Sequence, residues 1–329
     1  MVALGIALGL VGAYVQIPYY SLAPGPAKDV AGLVRVDGER TYPSSGAFFL
    51  TTVAVSSRPV TLFEAIVGWA DPAVSVIPRN HIIQPGLTDQ QQDQFNAMDM
   101  EESKYAAIIA ALQAVGIDTP PLRGAFVIAV ASGFPAAGKL RPGDVVTAAN
   151  GVAVRDAQAL SAQITSKPIG AKHTFEVLRG KGEITVELRT VASPVKGQTT
   201  QPVIGAKLGP AFRLPLDVMV DSQNIGGPSA GLAFALTIAD ALTEEDLTRG
   251  HRIAVTGTID ISGRIGLVGG VEFKVRAAEH EGADIFLVPT EEIAQASSVA
   301  SEVEVIGVST LAEAITALRN LGRIVPEAA

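Results

Sequence analysis

Hydrophobic and polar positions change period several times along this chain, and each change marks a different element. The first twenty residues, MVALGIALGLVGAYVQIPYY, are uncharged, and the first charged side chain is Lys28. A run of that length matches the hydrocarbon thickness of a bilayer, and Tyr19 and Tyr20 suit its interface. Residues 1–20 therefore read as a transmembrane helix. A signal peptide competes for the same residues, with Ser21–Ala23 as its small-residue site. Against it, Pro24 follows that site and no basic stretch precedes the apolar run. The segment APGPAKD (Ala23–Asp29) predicts a stiff exit from the anchor.

Beyond it, GAFFLTTVAVSS (Gly46–Ser57) predicts a strand and TLFEAIVGWA a helix. Residues 72–93 carry Pro and Gln and predict an irregular connection. MEESKYAAIIAALQAVG (Met100–Gly116) has acids early and Gly last, the start and stop signals of a helix. Asp118–Pro121 (DTPP) breaks the chain. Alternating strands follow at Phe126–Val130, Val145–Ala149, His173–Leu178 and Glu183–Arg189, around one helix at Asp156–Thr165. Ser193–Gln201 predicts a flexible linker. A second region has strands at Leu214–Val220, Ile253–Thr258, Ile285–Pro289 and Glu304–Val308. Its helices fall at Ala230–Leu242, Lys274–Glu281 and Leu311–Leu318. Such alternation predicts an α/β or α+β fold.

Composition narrows the function classes. With 329 residues, 48% hydrophobic and 18% charged, the chain can bury a large core in two domains. A net charge of -8 argues against nucleic acid, which binds basic faces. The chain has no cysteine, which excludes disulfides, thiol nucleophiles and Cys-based metal sites. No metal and no cofactor are expected. The Gly-x-x-x-x-Gly-Lys-Ser/Thr phosphate loop does not occur either, so no ATP-driven motor is expected.

Candidate chemistry begins at QNIGGPSAGLAFALTIADAL (Gln223–Leu242). Gly226 and Gly227 suit a tight turn, Pro228 suits a first helical position, and Ser229 falls in the first turn of an all-apolar helix. Unpaired N–H groups and the positive dipole end there can hold an oxyanion. Serine is also an ordinary helix-start residue, so this stretch alone fits a plain structural role. None of His81, His173, His251 and His280 sits in a pattern tied to the serine. Lys274, in GRIGLVGGVEFKVRAAEHEGADIFLVP, stands among Val271, Phe273 and Val275. Desolvation there would lower its pKa and let the neutral amine act as a general base. Taken alone it also reads as an exposed charge on a helix.

Two resemblances join these pieces. GFPAAGKLRPGDVVTAANGVAV and the hairpin LRGKGEITVELR resemble a PDZ domain of the bacterial protease type, over residues 121–192. Such domains bind an extended peptide as an added strand and hold its carboxylate on loop N–H groups. The resemblance implies Gly124, Ala125, Phe126 and Val127 as peptide contacts, although Arg123–Phe126 departs from the usual Gly-Leu-Gly-Phe. A rigid spacer or an oligomer contact is the other use of such a module. GGPSAG, AVTGTIDISGRIGLVGGVEFK, LPLDVMV and GADIFLVP resemble the Lon-type serine–lysine peptidase domain, as do FFLTTVAVSS and MEESKYAAIIAAL upstream.

That resemblance implies a discontinuous α/β (α+β) peptidase domain, residues 30–118 and 200–329, with the PDZ domain inserted. Ser229 is implied as nucleophile and Lys274 as base, with Thr256 orienting the lysine. The turn at Gly227 and Pro228 is implied to form the oxyanion hole. One departure is Gly226, where the family often has an acidic residue. Membrane-anchored bacterial proteases pairing PDZ and Lon-like domains are the nearest match in organisation. They imply an ATP-independent endopeptidase for unfolded or flexible proteins, anchored in the cell membrane with its bulk extracytoplasmic and assembled as a ring of six. A PDZ scaffold or adaptor with an inactive Lon-like domain is the competing class.

Overall fold

The computed structural model describes residues 12–223 and 225–322. Its first sheet has six strands in the order Glu304–Val308, Ile285–Pro289, Arg252–Val255, Ala47–Val55, Tyr19–Asp29, Ser75–Pro78. The first four run parallel, and the last two pair antiparallel at one edge. Ile285–Pro289 is apolar and buried at every position, as a parallel strand covered on both faces requires. Alternate residues serve the two faces. Ile253, Val255, Ile285 and Leu287 meet Gly231–Leu242, Asp89–Ala114 and Leu311–Arg319 on one side. Ala254, Phe286 and Val288 meet Val271–His280 on the other. Gly231–Leu242 is buried along its length through Asp240, which explains its all-round apolar sequence.

The second sheet is antiparallel, in the order Ala206–Phe212, Pro121–Val130, Val145–Ala149, Lys172–Arg179, Gly182–Arg189. With the helix Ala157–Thr165 it encloses Val127, Val146, Leu160, Phe175 and Leu188. The buried Asp144 accepts two bonds from Arg179, at 2.7 Å each. Burial acts to raise its pKa, but those bonds and the Arg141 N–H hold it below the usual carboxylate range.

Several expected boundaries move. Most of the anchor reading, residues 1–11, lies outside the described residues. Of the two tyrosines at its end, Tyr20 is buried in the fold and donates to Asp89 at 2.6 Å, so it is not an exposed interface anchor. Ala23–Asp29 is no stiff exit but the continuation of the strand Tyr19–Asp29, bulged between Pro24 and Ala27. No helix among the described residues is long and apolar enough to cross a membrane. The irregular stretch 72–93 holds the strand Ser75–Pro78 and the start of the long helix. That helix begins at Asp89 because Thr88 and Gln91 close a capping box. Ser193–Gln201 is a reversal rather than a linker, closed by pairing of Val191–Ala192 with Pro202–Val203. The chain then returns to add Ala206–Phe212 to the second sheet.

Phe234 is fully buried in the helix at the centre of the first core. Phe234→Ala should cost about 3–5 kcal/mol in denaturant unfolding. A loss under about 1 kcal/mol would show that this helix does not carry the core.

Candidate active site

The turn before Gly231–Leu242 is built backbone by backbone. Gly227 takes a φ of 85°, open to glycine and strained for other residues. Its N–H donates to the Asn96 carbonyl at 2.9 Å. Pro228–Ala230 forms one tight turn, and Ser103 Oγ donates to the Pro228 carbonyl at 2.8 Å. Gly257 N–H donates to the Ser229 carbonyl at 2.9 Å, and Leu232 N–H to the Gly257 carbonyl at 3.1 Å. A Cβ at Gly231 would collide with Ser103 Oγ and Ile259, so the glycine after Ser229–Ala230 is a packing requirement. Gly227 and Pro228 thus shape the turn without supplying oxyanion donors. The Gly227 N–H is engaged with Asn96 and proline has none.

Ser229 is half-buried and opens on a cleft of about 490 Å³ that Lys274 also lines. Thr51–Ala54 of the strand Ala47–Val55 line it, as do Leu267–Gly269. Lys274 sits in the first turn of Val271–His280, which starts from Gly270 in the left-handed conformation. Only 3% of Lys274 is exposed, and its Nζ donates to Thr256 Oγ1 at 3.0 Å. Thr256 is itself fully buried, and its backbone N–H donates to the Leu287 carbonyl, which anchors it to the strand Ile285–Pro289. Burial lowers the Lys274 pKa from 10.5 to about 8, against a smaller upward pull from Glu292. Glu292 is buried too, which raises its own pKa, and it accepts from Val268 N–H at 3.1 Å.

The histidines are elsewhere. His173 is enclosed in the second domain beside Asn150, and His251 contacts the Gly322 carbonyl. None of the four lines the cleft. Among the described residues, no cluster of acidic and His side chains is placed to hold a metal ion.

The expected peptide contacts Gly124–Val127 do not offer a free edge. Ala125, Phe126 and Val127 pair with Pro210, Gly209 and Leu208 on one side, and Ala125 and Phe126 pair with Val146 and Val145 on the other. Phe126 also stacks on Tyr105, with ring centroids 4.5 Å apart. The edge on that side belongs to Ala206–Phe212, and the far edge to Gly182–Arg189. An apolar groove of about 230 Å³ runs between residues 203–208 and the helix Ala157–Thr165, closed by Phe95 and Met98.

Sequence reasoning also missed Asn96, Ser103, Glu292 and Thr51. The first two are polar positions in a helix with no local pattern to mark them. Thr51 lines the cleft with its hydroxyl buried and unpaired among the described residues. Its place on a strand was legible, but its neighbours were not.

Residues 97–190 match the PDZ domain family, and residues 222–319 match the Lon protease C-terminal proteolytic domain. The chain carries a PDZ domain and a Lon-type proteolytic domain, the latter of the serine-peptidase class. The chain is 43% identical over 65 residues to a Lon protease of Clostridioides difficile, covering 20% of this chain and 8% of that protein. To Lon protease 2 of Bacillus subtilis it is 33% identical over 91 residues, 28% of this chain and 16% of that protein. The chain therefore spans only a small part of the length of these relatives. A PDZ domain of an SdrC-like protein from Listeria monocytogenes is 28% identical, over 27% of this chain and 90% of that one, with a TM-score of 0.25. Ser229, Lys274 and Thr256 all lie inside the Lon-type match, whereas Thr51, Asn96 and Ser103 lie outside it.

Burying Lys274 has a stability signature. The unfolded chain binds a proton there up to pH 10.5 and the folded chain only up to about 8, so folding stability rises with pH across that window. Lys274→Met should therefore be more stable than the parent at pH 7, by roughly 3 kcal/mol at most. The difference should close as pH approaches 10.5, the ordinary lysine value. Equal pH dependence of the two chains in urea unfolding would contradict a desolvated amine.

Proposed function

We propose that this chain is an ATP-independent serine endopeptidase in which Ser229 is the nucleophile and Lys274 the general base. The observation that carries the reading is a buried amine, with pKa about 8, lining the cleft onto which Ser229 opens. In the neutral form Lys274 takes the serine proton as Oγ attacks the scissile carbonyl. The carbonyl oxygen becomes an oxyanion held by the N–H groups of Ser229 and Ala230 at the helix start. The protonated lysine then gives its proton to the leaving amine, and water releases the acyl group by the same steps. Thr256 holds the amine in place throughout.

The cleft suits an extended segment rather than a folded surface. The strand Ala47–Val55 pairs with Arg252–Val255 only through Leu50, so Thr51–Ala54 present an unpaired edge to the cleft on that side. A substrate strand laid there gains backbone bonds that a folded protein cannot offer. The PDZ groove beside Ala206–Phe212 would take a second extended segment of the same substrate. We place the chain at the cell membrane through its apolar N-terminal residues, with the peptidase part extracytoplasmic. Six copies in a ring would restrict entry to the cleft, because heterologous contacts close into rings.

Incubation with a permanently unfolded protein tests the reading. The parent chain should cut it, with a rate rising through pH 8, the lysine value. Ser229→Ala should abolish cleavage at a stability cost of about 1 kcal/mol or less. Lys274→Arg should be inactive, because guanidinium does not deprotonate. Binding without cleavage by the parent would identify an adaptor instead. Light scattering of the detergent-solubilised chain should give a higher oligomer; a fully active monomer would refute the ring.

A further inference from the structure

The helix Leu62–Ala70 is turned inside out. Its sequence, LFEAIVGWA, is apolar apart from Glu64, yet only Ala65 and Gly68 are buried. Gly68 faces inward because a Cβ there would meet Val76 at 2.7 Å. The large side chains Leu62, Phe63, Ile66, Val67 and Trp69 all point outward, with Phe63 61% and Trp69 59% exposed. Such a face on a soluble surface calls for an occupant. Charge contributes little, since Glu64 is paired with Arg58 at 2.8 Å and engaged in the Thr61 cap.

What covers the face follows from its position. Leu62 N–H donates to the Val15 carbonyl at 3.1 Å, and Ile17 N–H to the Val60 carbonyl at 2.9 Å. The helix start is thereby fastened to residues that closely follow the uncharged run MVALGIALGLV in sequence. Tyr14 and Val15 at that point are also exposed, and they extend the apolar surface. Trp69 packs edge-on against Tyr19, an aromatic pairing suited to a bilayer interface. If the apolar run enters a bilayer, this helix cannot be far from the headgroups.

We propose that the outward face of Leu62–Ala70 docks on the lipid surface, lying in the plane of the interface as an amphipathic helix does. This rests on the reading that the N-terminal residues enter the membrane, and it adds a second contact. A two-point attachment fixes the orientation of the first sheet against the bilayer instead of leaving the domain to swing on a tether. The lipid head need not be anionic, because the face is apolar and its one acidic side chain is paired.

Trp69 is the only tryptophan in the chain, so its emission reports this contact directly. The full chain would be reconstituted in phosphatidylcholine vesicles containing lipids brominated either near the headgroup or deep in the tail. Docking predicts blue-shifted Trp69 emission that loses most of its intensity to shallow bromine and little to deep bromine. Phe63→Ser with Ile66→Ser should return the emission towards that of a solvated indole, while flotation with vesicles and the thermal midpoint stay unchanged. Flotation with unquenched, water-like emission would overturn the docking and leave the membrane-entry reading standing. Blue-shifted emission with no quenching would overturn it in favour of a second copy or of the chain's own N-terminal residues. Failure to float would remove both readings.

Discussion

An amine carried into an apolar interior is the constraint around which the first domain is arranged. Lys274 keeps 3% of its surface, donates to one hydroxyl, and has one acidic group acting on it. A fully compensated buried ammonium would need a close carboxylate and further acceptors. Here Glu292 gives only a partial counterweight and turns its carboxylate to the Val268 N–H. Desolvation therefore wins, and the pKa settles at about 8. A tighter ion pair would hold the proton on the lysine and remove its use as a base. The geometry that holds this amine is backbone-made: Gly270 starts the helix, and Thr256 is tied to the strand Ile285–Pro289 through Leu287.

One helix links this site to the second domain. Asp89–Ala114 supplies Asn96 and Ser103 to the turn that carries Ser229. From the same turns it sends Phe95 and Met98 to the PDZ groove, and Asp99 and Glu102 pair with Lys207 on the open-edge strand. Tyr105 adds a bond from its hydroxyl to the Pro210 carbonyl at 2.8 Å. The peptidase turn and the PDZ edge are thus fixed to opposite sides of one rigid rod. Partly exposed ion pairs such as those of Lys207 add little stability, so the packing of Phe126 and Tyr105 carries more of that junction.

Elements whose burial is uniform were legible in the sequence. Ile285–Pro289 lies wholly within the core and Gly231–Leu242 does so through Asp240, so their composition alone marks them. Ser229 and Lys274 could be singled out because glycine-rich turns and apolar flanks are local signals. The first half of the long helix was not legible, since DQQQDQFNAMDM packs between two domains and shows no apolar stripe. The strand Tyr19–Asp29 was divided between the end of an anchor (Tyr19 and Tyr20) and its stiff exit (Ala23–Asp29), because over a few residues hydropathy does not separate a strand from a membrane run and its two prolines suggest a break. Ala206–Phe212 escaped because its partner strand is distant in sequence and only the fold shows the pairing. For the same reason Gly124–Val127 passed for a free edge, although Ala206–Phe212 pairs along it. The missing acidic residue at Gly226 now has a local context: the glycine lies against Asn96, whose carbonyl holds the next residue.

The proposed dyad depends on the protonation of one side chain. Labelling the lysines with ¹³C at Cε and following the Lys274 resonance through a pH titration measures it without any substrate. Assignment comes from the peak lost in a Lys274→Met chain. A midpoint near 8, well below the remaining lysines, is the result expected from its burial. A midpoint at the ordinary value of 10.5 would mean that the amine is solvated, and the neutral, proton-accepting fraction at pH 8 would fall from about a half to under about one in a hundred.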